Sequence, residues 1–396
     1  MDVLQPLDSQ RILSSLRDTR NPNVWVYRFT HPDTGWILSI ATHAEPGSKK
    51  LSLGGFRIAP RERTEVPGFD PDREAIGLAI GMEEKVHWSR VLRVGGPRAR
   101  RDIQRIVGGK CVLQPTDDAR VGNPRDFELL DWALGCFVEM ERESGVLVIT
   151  GQDLGHGLMS DGKTQSLNYL GSRFHGCVTS DTSIPTGEGN FNVLKGMLAA
   201  VGIQPAQSTV GLIGVGNIGR HILERLRDDG TTLLAVESAA VRRAELEASG
   251  LRVWGPEGKL EMLREPMDAL VVNAAAGSLD ADTINACVSN PRLKIVCGSE
   301  NMAMRDAEGP AKLLAAKKIY CPTELGGMMG YLTAVEEYLA VKDGLRFEIR
   351  QMLEASKRLE IVARQASALI RSSNYTIDFQ GAAEEIGRAA KGTAAV

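Results

Sequence analysis

The chain has 396 residues, of which 43% are hydrophobic and 24% charged, and its net charge at neutral pH is −3. This is the composition of an ordinary globular protein of about two domains, with no broad positive field for nucleic acid or an anionic membrane and no apolar run long enough for a membrane span. The N-terminal stretch lacks the apolar core of a signal peptide, and six scattered cysteines without C-x-x-C spacing read as reduced core thiols, so a cytoplasmic protein without a disulfide framework is expected. The six histidines form no H-x-x-x-H cluster, and no metal site is expected.

In chain order, Val24 to Phe29 and Trp36 to Ala41 read as strands flanking the turn composition His31-Pro32-Asp33-Thr34-Gly35, a hairpin. A third strand, Lys49 to Ile58, is interrupted by Gly54 and Gly55, which signals a bulge or a close approach of backbone to ligand. Ala75, Leu78, Ala79 and Met82 share one face of a helix predicted over Asp72 to Lys85. The arginine-rich segment that follows, Arg90 to Arg105, reads first as a solvated face and second as a phosphate-binding patch. Gly108-Gly109 reads as a turn feeding a buried strand from Lys110. Phe127 to Arg142 is helical, and Val146 to Thr150 is a short apolar strand. Asn192 to Val201 is a helix, Leu332 to about Ile370 is mostly helical, and the Ala/Gly/Lys tail is frayed.

The most informative stretch lies between these elements. Val210 to Ile213 is an apolar strand that enters Gly214-Val215-Gly216-Asn217-Ile218-Gly219, and Arg220 to Arg227 continues as a helix. Strand, G-x-G-x-x-G and helix form the dinucleotide fingerprint. Gly214 permits the turn, Gly216 lets backbone meet a pyrophosphate, and Gly219 lets helix and strand pack closely. A second strand, Thr232 to Val236, ends in Glu237, 21 residues after Gly216, where a carboxylate would take the ribose hydroxyls of NAD. Ser238, Arg242 and Arg243 follow and offer an alternative site for the 2′-phosphate of NADP, so NAD is the expected cofactor and NADP its alternative. Later strands of the same unit are Ala269 to Asn273, Leu293 to Cys297 and Lys318 to Cys321, each ending in a small or polar loop.

Two lysines and an aspartate carry the chemical argument. Lys85 ends an apolar helix face, Lys110 sits between two glycines and Cys111-Val112-Leu113, and Asp153 follows a buried strand. A lysine drawn into an apolar or cationic site loses proton affinity and works as a base near neutral pH; an adjacent carboxylate relays the proton. Taken singly, each of the three is more often a surface or paired charge.

Together they resemble the glutamate/leucine/phenylalanine/valine dehydrogenase family, over roughly Leu51 to Leu339. Leu53-Gly54-Gly55-Phe56-Arg57 is similar to its L-G-G-x-R segment, Gly81-Met82-Glu83-Glu84-Lys85 to its G-M-x-x-K, Gly108-Gly109-Lys110 to its G-G-K, and Thr150-Gly151-Gln152-Asp153-Leu154-Gly155 to its T-x-x-D-x-G. Gly298-Ser299-Glu300-Asn301-Met302 resembles the G-x-x-N segment near the nicotinamide ribose, and Ala274-Ala275-Ala276-Gly277 matches the loop before it. The resemblance implies an α/β protein. An N-terminal α/β substrate and oligomerisation domain (residues 1–172 and 346–396) would carry the C-terminal helices, beside a Rossmann cofactor domain (residues 173–345). It implies Lys110 and Asp153 as catalytic groups, with Gly54, Gly55 and Lys85 on the substrate carboxylate. Gly214, Gly216, Asn217, Ile218, Gly219, Glu237, Ala274, Ala275 and Asn301 would hold the cofactor. It further implies a homo-oligomer that interconverts an L-amino acid with its 2-oxo acid and ammonia.

Three departures stand out. Lys85 and Lys110 are 25 positions apart, about double the family's gap, with Arg90 to Ile106 inserted. The family's P-D-x-x-x-N-A-G-G is Pro322-Thr323-Glu324-Leu325-Gly326-Gly327-Met328-Met329-Gly330 here, without the asparagine that would hold the substrate amine. The threonine near the nicotinamide amide falls at Gly189, with Thr186 and Asn190 as replacements. Gly151 and Leu332 look like the phenylalanine-type choices for the side-chain pocket, and Val335, with Met328 and Met329, would add an apolar wall; as core residues they would read equally well. A bulky apolar or aromatic substrate is therefore expected. Two alternatives accompany this reading: an NAD(P)-dependent oxidoreductase acting on an imine or modified amino acid, and a non-catalytic NAD-binding sensor on a dehydrogenase scaffold.

Overall fold

The computed structural model describes residues 2–4 and 23–392. The last four residues of the tail expected to fray lie outside them. The described chain divides into two compact units. One holds the residues up to His87, Pro97–Thr182 and Ala334–Phe347; the other holds Trp88–Gly96, Ser183–Thr333 and the residues from Glu348 on.

The first unit is built on a seven-stranded mixed sheet in the order β1-β2-β3-β6-β4-β7, with β5 also paired to β6. The strands are β1 Asp2–Leu4, β2 Trp25–Thr30, β3 Ile37–Thr42, β4 Leu51–Leu53, β5 Phe56–Ile58, β6 Ile106–Gln114 and β7 Leu147–Ile149. The expected hairpin is present as β2 and β3, antiparallel in the register Trp25↔Thr42 to Thr30↔Ile37. The glycines at 54 and 55 do break the third strand, leaving β4 and β5 on either side. The expectation for Gly108-Gly109 needs correcting: they form no turn, and both lie inside β6. Backbone crowds them there. A Cβ on Gly108 would sit 2.2 Å from the Glu83 amide nitrogen, and one on Gly109 would sit 2.2 Å from Ser52 Oγ. Glycine is the residue that lets three chain segments approach this closely. The helix Asp126–Ser144 covers the sheet with Leu130, Ala133, Phe137 and Met140, spaced three and four apart, against Phe56, Leu38 and Val148.

The second unit carries a six-stranded, all-parallel sheet in the order β10-β9-β8-β11-β12-β13. Its strands are β8 Thr209–Ile213, β9 Thr232–Val236, β10 Arg252–Trp254, β11 Ala269–Val272, β12 Ile295–Gly298 and β13 Ile319–Tyr320. Numbered within the unit this is 3-2-1-4-5-6, the doubly wound Rossmann order. Helices bury both faces, so β11 reads Ala-Leu-Val-Val without alternation. Arg252–Trp254 shows no such run, which is why this half-exposed edge strand escaped the sequence reading.

The helix predicted from Asn192 starts earlier and spans Ser183–Ala200. The expectation that the C-terminal helices return to the first domain is also corrected. Ile349–Ser372 and Phe379–Gly392 belong to the second unit, where the former packs along Ser183–Ala200; of the C-terminal third, Ala334–Phe347 joins the first unit. Gly196 explains the close docking, because a Cβ there would lie 2.2 Å from the Glu360 carbonyl oxygen. Among the described residues, no helix is long and apolar enough to cross a membrane.

Candidate active site

In the first unit, β6 delivers Lys110 and the loop after β7 delivers Asp153. Lys110 is buried, the Asp153 side chain is 11% exposed, and the Lys110 ammonium contacts Asp153 Oδ2 directly. Gly55 lies alongside. A Cβ on it would fall 3.0 Å from Lys110 Nζ, 3.1 Å from Asp153 Cβ and 2.9 Å from the Gln152 carbonyl oxygen. The pair is therefore flanked by bare backbone. Gly54 is tighter still, with its notional Cβ 1.7 Å from the Gly109 carbonyl oxygen. Lys85 is buried on the helix Pro71–Leu92 of the same unit, and Glu83 on that helix accepts the Gly108 N–H at 2.7 Å, tying the lysine-bearing helix to β6.

The electrostatics have named causes. Burial pushes the Lys110 ammonium below the usual lysine range; Asp153 opposes this and the Arg57 guanidinium adds to it. Burial alone would raise the Asp153 carboxyl, but Arg57 and Lys110 overcome that and hold it well below the usual carboxylate range. Arg57 lies 3.2 Å from Asp153 Oδ1 and reaches Glu74 Oε1 at 2.6 Å with its other arm. The sequence reading quoted Arg57 inside a motif and gave it no role. Its signal was present: an arginine between Phe56 and Ile58, in a strand buried throughout, requires a buried counter-charge.

The remaining first-unit candidates are less central. Gly151 faces Val178, whose Cγ2 would be 2.8 Å from an added Cβ, so Val178 already fills the space of the missing methyl. Val335 is buried on the helix Met328–Lys342. The arginine-rich segment takes its first reading. Arg98 pairs with Glu336 at 3.1 Å, and Arg101 with Asp102 at 2.6 Å and Asp343 at 3.1 Å.

In the second unit, Gly214 adopts φ +86° with the Ala274 amide nitrogen 2.8 Å from its notional Cβ. A Cβ on Gly219 would lie 2.2 Å from the Gly214 carbonyl oxygen. Gly216 caps the helix Asn217–Asp228 without a side-chain acceptor, and near it only Arg242 Nη1 approaches within 4 Å of a notional Cβ. Unfilled N–H groups at a helix start beside an open glycine fit a pyrophosphate. Asn217 and Ile218 form the first turn of that helix. Glu237, at the end of β9, accepts the Val215 N–H at 2.8 Å and the Ala239 N–H at 2.9 Å, so the carboxylate is clamped at the lip of the glycine loop. Arg243 donates to the carbonyls of Glu237 and Ser238.

Beyond β11, the buried Glu300 accepts the Ala274 N–H at 3.1 Å and the Ser278 N–H at 2.8 Å, which shapes the loop that bears Ala274 and Ala275; Asn301 follows it. Burial raises the Glu300 carboxyl, and these bonds oppose the shift in part. Sequence reasoning gave Glu300 no role. The departure at Gly189 has a packing cause: Met329 Cγ would lie 2.5 Å from a Cβ there. Its neighbour Asn190 is fully buried and donates to Asn273 Oδ1 at 3.0 Å. Leu332 is likewise fully buried in this unit. Among the described residues, no group of His, Cys, Asp and Glu is arranged to hold a metal ion, and the six cysteines are free thiols.

Both units were compared with known proteins. No family model matches the chain. A valine dehydrogenase from Streptomyces virginiae is 26% identical over 163 residues, 40% of this chain; the match spans less than half (44%) of that protein. Among solved structures, L-tryptophan dehydrogenase from Nostoc punctiforme superposes with a TM-score of 0.60 at 17% identity, covering 92% of this chain and 94% of its own. The chain is a structural relative of the amino acid dehydrogenases. The hetero-hexameric glutamate dehydrogenase from Thermus thermophilus, in its Leu bound form, has a TM-score of 0.62 at 17% identity and covers 92% of this chain and 86% of its own. The glutamate dehydrogenase from Peptoniphilus asaccharolyticus reaches 0.57 at 15% identity, covering 97% and 96%. In the amino acid dehydrogenase fold the parallel sheet of the second unit is the Rossmann part; the mixed sheet of the first unit carries Lys110, and the loop after its β7 carries Asp153.

Proposed function

We propose that the chain is an amino acid dehydrogenase that interconverts an L-amino acid with its 2-oxo acid and ammonia, using NAD. The observation that carries the reading is the contact between the buried Lys110 and Asp153 beside the bare backbone of Gly55. Lys85 and the Gly54-Gly55 backbone would hold the substrate carboxylate. Bound nicotinamide would supply the hydride acceptor, held by Gly214, Gly216, Asn217, Ile218, Gly219, Glu237, Ala274, Ala275 and Asn301. Lys110, with its proton affinity reduced, draws a proton from water so that oxygen adds to the imine carbon. Asp153, in contact with the ammonium, relays protons as ammonia leaves. A bulky apolar or aromatic side chain is the proposed substrate class. A cytoplasmic homo-oligomer completes the proposal.

The decisive experiment follows NADH and NADPH consumption with aromatic, branched and acidic 2-oxo acids, each with and without ammonia. Ammonia-dependent oxidation of NADH with a bulky 2-oxo acid is expected. The absent asparagine in Pro322–Gly330 favours a second reading, imine or modified amino acid chemistry with an amine other than ammonia; turnover indifferent to ammonia would select it. Cofactor binding with no turnover of any acid or amine would select a sensor.

Two further results are expected. The kcat/KM for deamination should rise with pH as Lys110 loses its proton, with a midpoint below the ordinary lysine value of 10.5. For Glu237→Ser, hydrogen bonds from ribose hydroxyls to a charged group are lost, about 1.5–3 kcal/mol. The preference for NADH over NADPH in kcat/KM should fall by roughly 10- to 100-fold, and an unchanged ratio would remove Glu237 from the cofactor site.

A further inference from the structure

We infer that Arg57 is a positioning residue for the Lys110–Asp153 pair: anchored from behind by Glu74, it grips Oδ1 of Asp153 and so leaves Oδ2 to exchange protons with Lys110. The inference rests on the dehydrogenase reading above. Oδ1 accepts Arg57 Nε at 3.3 Å, Arg57 Nη2 at 3.2 Å and the Leu154 N–H at 2.7 Å, which saturates it. Oδ2 meets Lys110. On the far side, Arg57 Nη1 donates to Glu74 Oε1 at 2.6 Å, and Arg63 Nη2 donates to Glu74 Oε2 at 2.8 Å. Five charges thus alternate in a line, Lys110, Asp153, Arg57, Glu74 and Arg63, with Arg57 and Glu74 buried.

The arrangement answers a problem set by the chemistry. When Lys110 is neutral, Asp153 would become a buried anion without a counter-charge, which costs several kcal/mol. A guanidinium does not give up its proton, so it remains on Asp153 in both states of the lysine. It also holds the carboxylate plane still while the proton moves. The other titratable groups around the pair are His156 and Cys111. Burial lowers His156, whose Nε2 donates to the Phe56 carbonyl at 2.7 Å, and burial pushes the Cys111 thiol up to about 12. Neither supplies a cation in place of Arg57.

The test compares Arg57→Met, Arg57→Lys and Glu74→Gln in the full chain. Arg57→Met should lower kcat by about 100-fold, the scale of a misplaced reacting group, with the 2-oxo acid KM within about threefold of wild type. Loss of the cation should move the kcat/KM limb assigned to Lys110 to higher pH. Arg57→Lys should restore about tenfold, and Glu74→Gln, which keeps the guanidinium but frees its outer arm, should show a smaller loss of kcat. A folded Arg57→Met with the wild-type kcat and pH profile overturns the inference. If Arg57→Met does not fold, a wild-type kcat in Glu74→Gln overturns it. Should the wild type turn over no 2-oxo acid, the dehydrogenase reading fails while Arg57 is still tested by carboxyl 13C NMR, with the Asp153 resonance assigned through Asp153→Asn. An upward move of the Asp153 titration in Arg57→Lys supports the grip, and an unmoved titration there refutes it.

Discussion

Lys110→Ala should lower kcat for reductive amination by about 10³- to 10⁴-fold while NADH binding, followed by fluorescence titration, stays within about twofold of wild type. The size follows from what the lysine does. It is buried on β6, its ammonium rests on Asp153, and burial with the neighbouring Arg57 lowers its proton affinity. In the proposed mechanism, removal takes away the group that accepts a proton from water, the one that contacts Asp153 Oδ2. The fold should survive, because Asp153 keeps Arg57 and the Leu154 N–H as partners. Asp153→Asn should cost a comparable factor, since an amide retains the shape but carries no exchangeable carboxyl proton. A Lys110→Ala protein with at least one tenth of the wild-type kcat would falsify the assignment of the base.

Gly54→Ala should be the most damaging single methyl in the first unit. The added carbon would sit 1.7 Å from the Gly109 carbonyl oxygen and 2.5 Å from the Gly109 carbonyl carbon. Both are backbone atoms of β6, which is paired to β4 through Leu53↔Gly108 and to β3 through Thr42↔Gly109, so no side chain can swing aside. Overpacking relieved only by backbone displacement costs about 3 kcal/mol or more. For a unit of this size that is a fall in melting temperature of roughly 6–12 °C, read by thermal denaturation. Gly135→Ala is the matched control. Gly135 is exposed in the middle of the helix Asp126–Ser144, nothing lies within 4 Å of its notional Cβ, and alanine is the better helix former. That variant should melt at or slightly above the wild-type temperature. Equal stability of the two variants would mean that β4 and β6 do not approach as closely as described.

The cofactor half was legible because its signals are local. The apolar strand, the glycine spacing and Glu237 lie within one stretch of chain, and each has a stereochemical reason that holds in any strand–turn–helix. Gly214 is glycine because its own turn sets φ at +86°, and Gly219 because the Gly214 carbonyl oxygen lies against it. Lys110 and Asp153 were singled out by residue type and neighbours, together with the resemblance that their order carried, and they meet in the structure. The hairpin and the helix Asp126–Ser144 were legible from alternation and from spacing of three and four.

What lay outside the sequence's reach depends on residues far apart in the chain. Arg57, Glu74 and Asp153 form one charge line across 96 positions, and a buried arginine reveals that it needs a partner but not which one. Gly108 and Gly109 looked like a turn because glycine pairs usually mark one, whereas here Glu83 and Ser52, brought in by a helix and a neighbouring strand, demand the missing side chains. Gly189 was a departure without a cause until Met329 was found in its space. The C-terminal helices carry an apolar stripe that fits any complementary surface, and only packing along Ser183–Ala200, permitted by Gly196, assigns them to the second unit. Local stereochemistry by itself determined most of the elements and the glycine loop, and residue type with the family resemblance singled out the candidate base and its relay. Tertiary contact decided what each charge leans on and which surface each amphipathic face covers, because burial and pairing energies belong to neighbours in space and not to neighbours in sequence.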